Sequence, residues 1–246
     1  MREMYIVYHP QNILEIFQAN YIQQQLLDAD VLKNQELNFD TSIESWRDIC
    51  NLIDTDKLYI YLNQSFNIAV EYTEWMEVLH PEEEKTIGDV CKFISSRKQK
   101  TLFSPIKLFG QPCHTASIYR YFVQRLQSRG VNTKDVKPSS TLENLFSKHG
   151  VLIIEEINLL DPKVLPTINY TPNLVYKWSS YCLIASIILT IITALLGSNI
   201  ALFTFAFSIL SYISLYISSY LAPKRANFNN LETLADAIRK VTLTMN

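Results

Sequence analysis

The sequence predicts a mainly α fold: a helical cytoplasmic domain, a transmembrane α-hairpin and a C-terminal amphipathic helix. Two observations carry this. Between Lys177 and Lys224 there is no charged residue, and that run divides into two apolar segments, Trp178–Leu196 and Ile200–Leu221, around Gly197-Ser198-Asn199. Upstream and downstream of it, apolar residues recur at helical spacing behind Ser/Thr/Asp helix-start signatures.

The apolar segments set the topology. At 1.5 Å per residue they reach about 28 and about 33 Å, enough to cross a hydrocarbon core of about 30 Å. A soluble core helix rarely stays apolar beyond about 14 residues. Gly-Ser-Asn is turn chemistry and is short enough to force an antiparallel pair, so both chain ends lie on one side. Lys177 before the first segment and Lys224 and Arg225 after the second place that side in the cytoplasm of an inner membrane. Trp178, Tyr181, Tyr216 and Tyr220 sit near those ends, at headgroup level. Small residues mark a packing face: Cys182, Ser186, Thr190 and Ala194 on the first helix, Thr204, Ser208 and Ser211 on the second. The span holds no ionisable acid, base or histidine, which disfavours transport.

Composition narrows the rest. The chain has 246 residues, and the part before the hairpin suffices for one ordinary domain or two small ones. Met1-Arg2-Glu3-Met4 leads into only a short apolar run, so no signal peptide is expected and the N-terminal part stays cytoplasmic. Cys50, Cys91, Cys113 and Cys182 are far apart without C-x-x-C spacing, which fits reduced thiols. With 5 glycines there is no phosphate-binding loop or dinucleotide fingerprint, and neither a cofactor nor a metal is expected. Charge is divided: residues 1–84 carry 16 acidic and 4 basic side chains, net −12, and residues 85–148 carry 12 basic and 3 acidic, net +9. Two lobes of opposite sign that pack together explain this, as does a basic lobe facing anionic lipid. The acidic half opposes nucleic-acid binding.

The acidic helical lobe spans residues 1–84. Met4–Tyr8 reads as a short strand, broken by His9-Pro10. A helix follows from Gln11 to about Asp30, with Ile13, Ile16, Phe17, Tyr21 and Leu26 on one face. Val31–Asp40 is a loop. Thr41-Ser42-Ile43-Glu44 is a capping box with Thr41 as the cap, opening a helix through Trp46 and Cys50. Asp54-Thr55-Asp56 starts the next, along Leu58, Leu62 and Phe66. After the link Asn67–Val70 comes a short helix on Tyr72, Trp75 and Met76, ended by His80-Pro81. Thr86-Ile87-Gly88-Asp89 is another capping box, opening a helix with Val90, Cys91 and Ile94.

This order, with an acidic helix start, Asp56-Lys57-Leu58, Phe66 and Thr86-Ile87-Gly88-Asp89, resembles the second half of an acyl-carrier-protein-like helical bundle over residues 37–95. In that family the second helix opens with Asp-Ser-Leu, and the Ser carries phosphopantetheine. Lys57 stands where that Ser would be and cannot form the phosphodiester. The resemblance therefore implies a bundle kept as a docking module. The chain as a whole resembles two-helix inner-membrane proteins of bacteria.

The basic helical lobe spans residues 85–160. Ser95–Lys100 is a basic linker in which Arg97, Lys98 and Lys100 are candidate contacts for a partner or membrane surface, together with Lys177, Lys224 and Arg225. Phe103–Phe109 is extended around Pro105, and Gly110–His114 turns into a helix with Ile118, Tyr121, Phe122 and Leu126 inward and Arg125 off that face. Arg129-Gly130 stops it. Ser140 and Glu143 have capping-box spacing. Val151–Ile154 suits a strand or a buried helical turn. Residues 161–177, with Pro162, Pro166 and Pro172, read as a stiff tether. After the hairpin, residues 222–246 form a cytoplasmic C-terminal helix, capped by Asn230, with Leu231, Leu234, Ile238 and Val241 as one stripe and Asp236 and Lys240 as a pair. It packs back on the domain or binds a surface.

Catalytic chemistry has one candidate. Cys113 lies beside His114 near a helix start that lowers a thiol pKa, with His149, Glu155 and Glu156 as conceivable partners. Adjacent side chains rarely form a productive thiol–imidazole pair, and a structural turn residue is the preferred reading. Three functions compete. The first is a non-enzymatic membrane-anchored protein whose helical domain binds a partner protein or the membrane surface. The second is a membrane effector or immunity-type protein that self-associates through its hairpin. The third is a cysteine-dependent enzyme.

Overall fold

The structure is a computed structural model. It describes residues 4–28, 30–52, 54–98, 100–104, 106–171, 174–195, 201–221 and 225–245. In chain order the elements are β1 (Met4–Ile6), α1 (Pro10–Leu27), α2 (Ile43–Cys50), α3 (Thr55–Phe66), α4 (Tyr72–Leu79), α5 (Ile87–Arg97), β2 (Thr101–Phe103), β3 (Ile106–Leu108) and β4 (Gln111–Cys113). There follow α6 (His114–Ser128), α7 (Leu142–His149), α8 (Val151–Leu160), β5 (Asn169–Thr171), α9 (Leu174–Leu195), α10 (Ala201–Leu221), β6 (Arg225–Asn227) and α11 (Leu234–Thr244). The fold is mainly helical, and the strands form three two-stranded sheets: β1–β2, β3–β4 and β5–β6. The chain divides into two compact units, Met1–Asn169 with Phe228–Asn246, and Tyr170–Asn227.

The first unit is built from one arrangement used twice. In each half a long helix, a loop and a short capped helix are followed by two further helices (α3 and α4) or one (α8) and by a closing helix opened by a Thr-x-x-Asp capping box. Thr86 caps α5 and Thr233 caps α11, each accepting from the backbone N–H of the Asp three residues on, while Asp89 and Asp236 reach back to the caps. Ser42 lies antiparallel to Thr86, and Thr141 to Thr233. The surrounding hydrogen bonds correspond one by one. Ile43 N donates to Lys85 O and Leu142 N to Glu232 O; Ile87 N donates to Thr41 O and Leu234 N to Ser140 O; Gly88 N donates to Phe39 O and Ala235 N to Pro138 O. The first helix packs on the last in both halves, α1 on α5 and α6 on α11. Unit two leaves the chain between α8 and α11, inside the second half. In the first half the approach is tighter: a Cβ on Gly88 would come within 2.7 Å of the Phe39 carbonyl oxygen, so glycine is required there.

Burial follows the helical stripes. Ile13, Ile16, Phe17, Leu58, Leu62, Phe66, Trp75, Val90, Cys91 and Ile94 fill the first half. Ile118, Phe122, Leu126, Leu142, Leu145, Ile154, Ile157, Leu234, Ile238 and Val241 fill the second. Each such side chain contributes about 1.5–3 kcal/mol on burial. The halves are joined by α1 and α3, which both pack on α8. Acidic and basic segments thus share one compact unit.

Several local expectations shift. Ser42, not Thr41, caps α2 by accepting from Ser45 N, because Thr41 Oγ1 is engaged with Asn38. Thr141, not Ser140, caps α7, because Ser140 Oγ is turned to Lys137 N and Asp135 O. Thr233, not Asn230, caps α11, and Asp236 is held in that cap while Lys240 Nζ donates to Val164 O at 2.7 Å, so the pair between Asp236 and Lys240 does not form. Residues 151–154 are helical, as the first turn of α8. The Pro-containing segment 161–177 begins packed: Val164, Leu165 and Ile168 are buried, and the Gln23 side chain donates to Pro166 O and accepts from Ile168 N.

In the second unit α9 and α10 pack antiparallel, Ser179 meeting Ser214 and Thr193 meeting Thr204. Among the described residues Lys177–Leu195 is the helix long and apolar enough to cross a membrane; the apolar stretch Phe203–Ile217 of α10 is shorter. The expected turn Gly197-Ser198-Asn199 lies outside the described residues, as does Lys224.

Candidate functional site

The α9–α10 face is assembled from hydroxyls. Ser179 and Ser214 are 3.0 Å apart, Thr190 and Ser208 3.4 Å, and Thr193 and Thr204 3.3 Å. Ser186 and Ser211 are buried between the helices. Several hydroxyls also return to their own backbone, Thr190 to Ser186 O, Ser186 to Leu183 O and Ser208 to Thr204 O. The expected members Ser186, Thr190, Thr204, Ser208 and Ser211 are on this face. Cys182 is not buried in it: the side chain is exposed and lines a groove with Trp178, Phe207, Leu210 and Ser211. The face follows positions 179, 186, 190 and 193, a seven-residue periodicity, whereas stepping by four from Cys182 drifts off it. Ser179 and Thr193 were missed by the sequence reading, and that periodicity is the signal that would have found them. The opposite faces are apolar and exposed, with Ile184, Ile188, Ile191, Phe203, Phe205 and Leu210 outward. Polar groups inside and hydrocarbon outside invert the surface of a soluble helix pair.

The basic segment is placed by α5 and β2. Lys98 caps α5, its N–H donating to Ile94 O, and β2 then pairs with β1 in the register Met4 to Phe103 and Ile6 to Thr101. Arg97 forms an ion pair with Glu74 and lies over the Phe93 ring at 5.3 Å. Lys98 Nζ lies 5.4 Å from the Tyr8 ring centre, and Lys100 Nζ 4.4 Å from that of Tyr5. Burial pushes the Lys98 amine down to about 8, with the Arg125 charge adding to this and Glu156 opposing it. Lys177 is exposed at the start of the apolar span of α9. Arg225 is the first residue of β6.

A buried polar network escaped the sequence reading, which set Arg125 off the apolar face of α6. Arg125 is 6 % exposed and its guanidinium binds both oxygens of Glu156 at 3.0 Å. It also donates to Ser65 O at 2.6 Å and Gln64 O at 3.3 Å, satisfying carbonyls in the last turn of α3. Arg129 pairs with Glu155 at 2.8 Å and Glu156 at 3.2 Å, and Tyr61 donates to Glu155. Burial works against the Arg129 charge, and the two carboxylates outweigh it, raising its pKa. The network joins the two halves of unit one. Its signal was Glu155-Glu156 inside the apolar run Val151–Leu160, which needs cations, and two arginines four residues apart, in the last turn and at the C-cap of α6.

Cys113 is half-buried as the last residue of β4 and the N-cap of α6. Its carbonyl accepts from Ser117 Oγ, and its side chain makes no capping hydrogen bond. Glu155 and Glu156, conceivable partners of its thiol, are held by Arg125, Arg129 and Tyr61, and His149 ends α7. The arrangement does not assemble an acid–base partner for the thiol among the described residues. Lys57 is exposed in the first turn of α3, while Leu58 is fully buried.

Comparison with family models, curated proteins and solved structures finds no match to this chain.

Proposed function

We propose that this chain is a non-enzymatic protein anchored in a membrane by α9 and α10 as a two-span hairpin with both chain ends cytoplasmic, and that its first unit is a carrier-like double bundle that docks a partner protein. The observation that carries the anchor is the inverted surface of the helix pair, hydroxyls inward and apolar side chains outward. In lipid, close approach of small residues and interhelical hydrogen bonds replace the hydrophobic effect as the source of pairing. Lys177 at the start and the Lys224-Arg225 pair at the end of the uncharged run orient it. The carrier-like reading is supported by helix order and by the repeated capping-box closure. Lys57 at the attachment position leaves docking without a prosthetic group. Docking is further supported by the β3–β4 hairpin, which presents Leu108 and a wholly exposed Phe109 at its tip. The hydroxyl face is used inside the pair, which argues against an effector that self-associates through it.

Accessibility to a membrane-impermeant maleimide tests the anchor. In a Cys113→Ser, Cys182→Ser background, Lys163→Cys and Asn230→Cys should label from the cytoplasmic face and Ser198→Cys only from the opposite face. Labelling of all three from one face would sink the two-span topology. For docking, full-length chain extracted in mild detergent should be recovered with a stoichiometric second protein, and Phe109→Ser should lose it. Recovery of a homo-oligomer alone would overturn the docking reading.

A further inference from the structure

We infer that the cavity beside the C-terminal end of α5 is a binding site for a phosphate monoester group, carried by a soluble molecule or by a lipid headgroup. The cavity has a volume of about 490 Å³ and is lined by Asn67–Val70, Arg97, Lys98, Lys100, Thr101 and Tyr121. That volume is in the range of small-molecule sites. Three of the lining side chains are cationic and none is a carboxylate.

Arg97 is committed to Glu74 outside the cavity chemistry. Lys98 and Lys100 have aromatic faces as partners, Tyr8 and Tyr5, and among the described residues neither makes an ion pair. Two ammonium groups match the charge of about −1.5 to −2 that a phosphate monoester carries near neutral pH. A carboxylate would neutralise only one. Thr101 and Tyr121 add hydroxyl groups to the lining.

The charges around Lys98 do not already serve it. From α6 it faces Arg125, and from α8 Glu156, but those two bind each other. From its own segment it has Arg97 and Lys100, from β1 and the residues after it Tyr5 and Tyr8, and from α6 also Tyr121. A half-buried amine without a counter-ion is costly to keep charged. An anion in the cavity supplies the counter-ion, so binding and protonation of Lys98 favour one another. The site requires neither α9 nor α10 to lie in a bilayer.

The test uses full-length chain in neutral-lipid nanodiscs with its lysines ¹³C-dimethylated, which keeps their charge. The Lys98 resonance is assigned by its loss in Lys98→Gln. Inorganic phosphate should raise the Lys98 pKa by about one unit or more, and Lys100→Gln should weaken the response about tenfold or more. A response to inorganic phosphate identifies a soluble ligand. A response only when phosphatidic acid is added to the nanodisc identifies a headgroup. No response to either probe, or a response that survives Lys100→Gln undiminished, overturns the assignment.

Discussion

Arg125 and Glu156 meet side-on in the interior, Nε on one carboxylate oxygen and Nη2 on the other, both at 3.0 Å. Their energetic role is asymmetric. Two buried charges that satisfy each other are close to neutral against an apolar pair, but one left alone is strongly destabilising. Glu156→Leu should therefore cost about 3–5 kcal/mol, since Arg125 stays buried and Arg129 loses one of two partners. Arg125→Met/Glu156→Leu should cost less than Glu156→Leu alone. Denaturant titration of the full-length chain in mild detergent decides it; additive costs would mean that the two side chains are not coupled.

The two capping boxes close equivalent helices and should respond alike. Thr86→Ala and Thr233→Ala should each lower stability by about 1 kcal/mol. If one is silent and the other costs fully, the halves are not energetically equivalent.

Acid should weaken the first unit through two carboxyls. Thr233, by its side chain and then its backbone, holds Asp236 below the usual carboxylate range. Burial opposes ionisation of Glu82, but hydrogen bonds from Thr55 and Arg47 and the Arg47 charge outweigh it and hold its pKa down as well. A folded pKa below the unfolded one gives stability that is present above the unfolded value of about 4 and is lost as pH falls through the folded value. Thermal melts from pH about 7 to about 3 should fall, and Glu82→Gln should flatten the slope below pH about 4. An unchanged slope in Glu82→Gln would assign the acid sensitivity elsewhere.

Most helices were legible because their signals are local. Thr86-Ile87-Gly88-Asp89 names its own cap, and the stripe Leu234, Ile238 and Val241 names its buried face. The cap positions of α2 and α7 slipped by one because Thr41 and Ser42, like Ser140 and Thr141, are adjacent hydroxyls, and only the preceding turn decides which is free. What was not legible depended on distant partners. Arg125 looks solvent-facing until α3 and α8 are beside α6. The segment from Asp161 to Ile168 looks like a tether until Gln23 and Lys240 are seen to bind its backbone. The doubled architecture was hidden because the two halves share capping chemistry and little else.

The hairpin predicts a proximity. Ser179 and Ser214 approach to 3.0 Å across the helix pair. In a Cys182→Ser background, Ser179→Cys with Ser214→Cys should oxidise to a disulfide within one chain, visible as a faster-migrating monomer. Ile188→Cys with Leu210→Cys, whose positions are both exposed on the outer faces, should not close in this way. Dimers as the sole product of the first pair would mean that the hydroxyl face meets another chain.

Thiol reactivity separates packing from chemistry. Burial pushes Cys91 up to about 12, and also Cys50 despite a hydrogen bond with Trp46 that acts the other way. Both lie in the core of the first half, Cys91 fully buried on the face of α5 that packs on α1. Cys113 is partly accessible at the start of α6. Iodoacetamide at pH about 8 should therefore modify Cys113 in the folded chain and reach Cys50 and Cys91 only on unfolding, because the thiolate is the nucleophile and burial withholds it at Cys50 and Cys91. Peptide mass analysis over time reads this directly. If Cys91 reacts as fast as Cys113, α5 opens from α1 under native conditions. If Cys113→Ser leaves partner recovery intact while Phe109→Ser removes it, the thiol has no part in docking and the hairpin tip does.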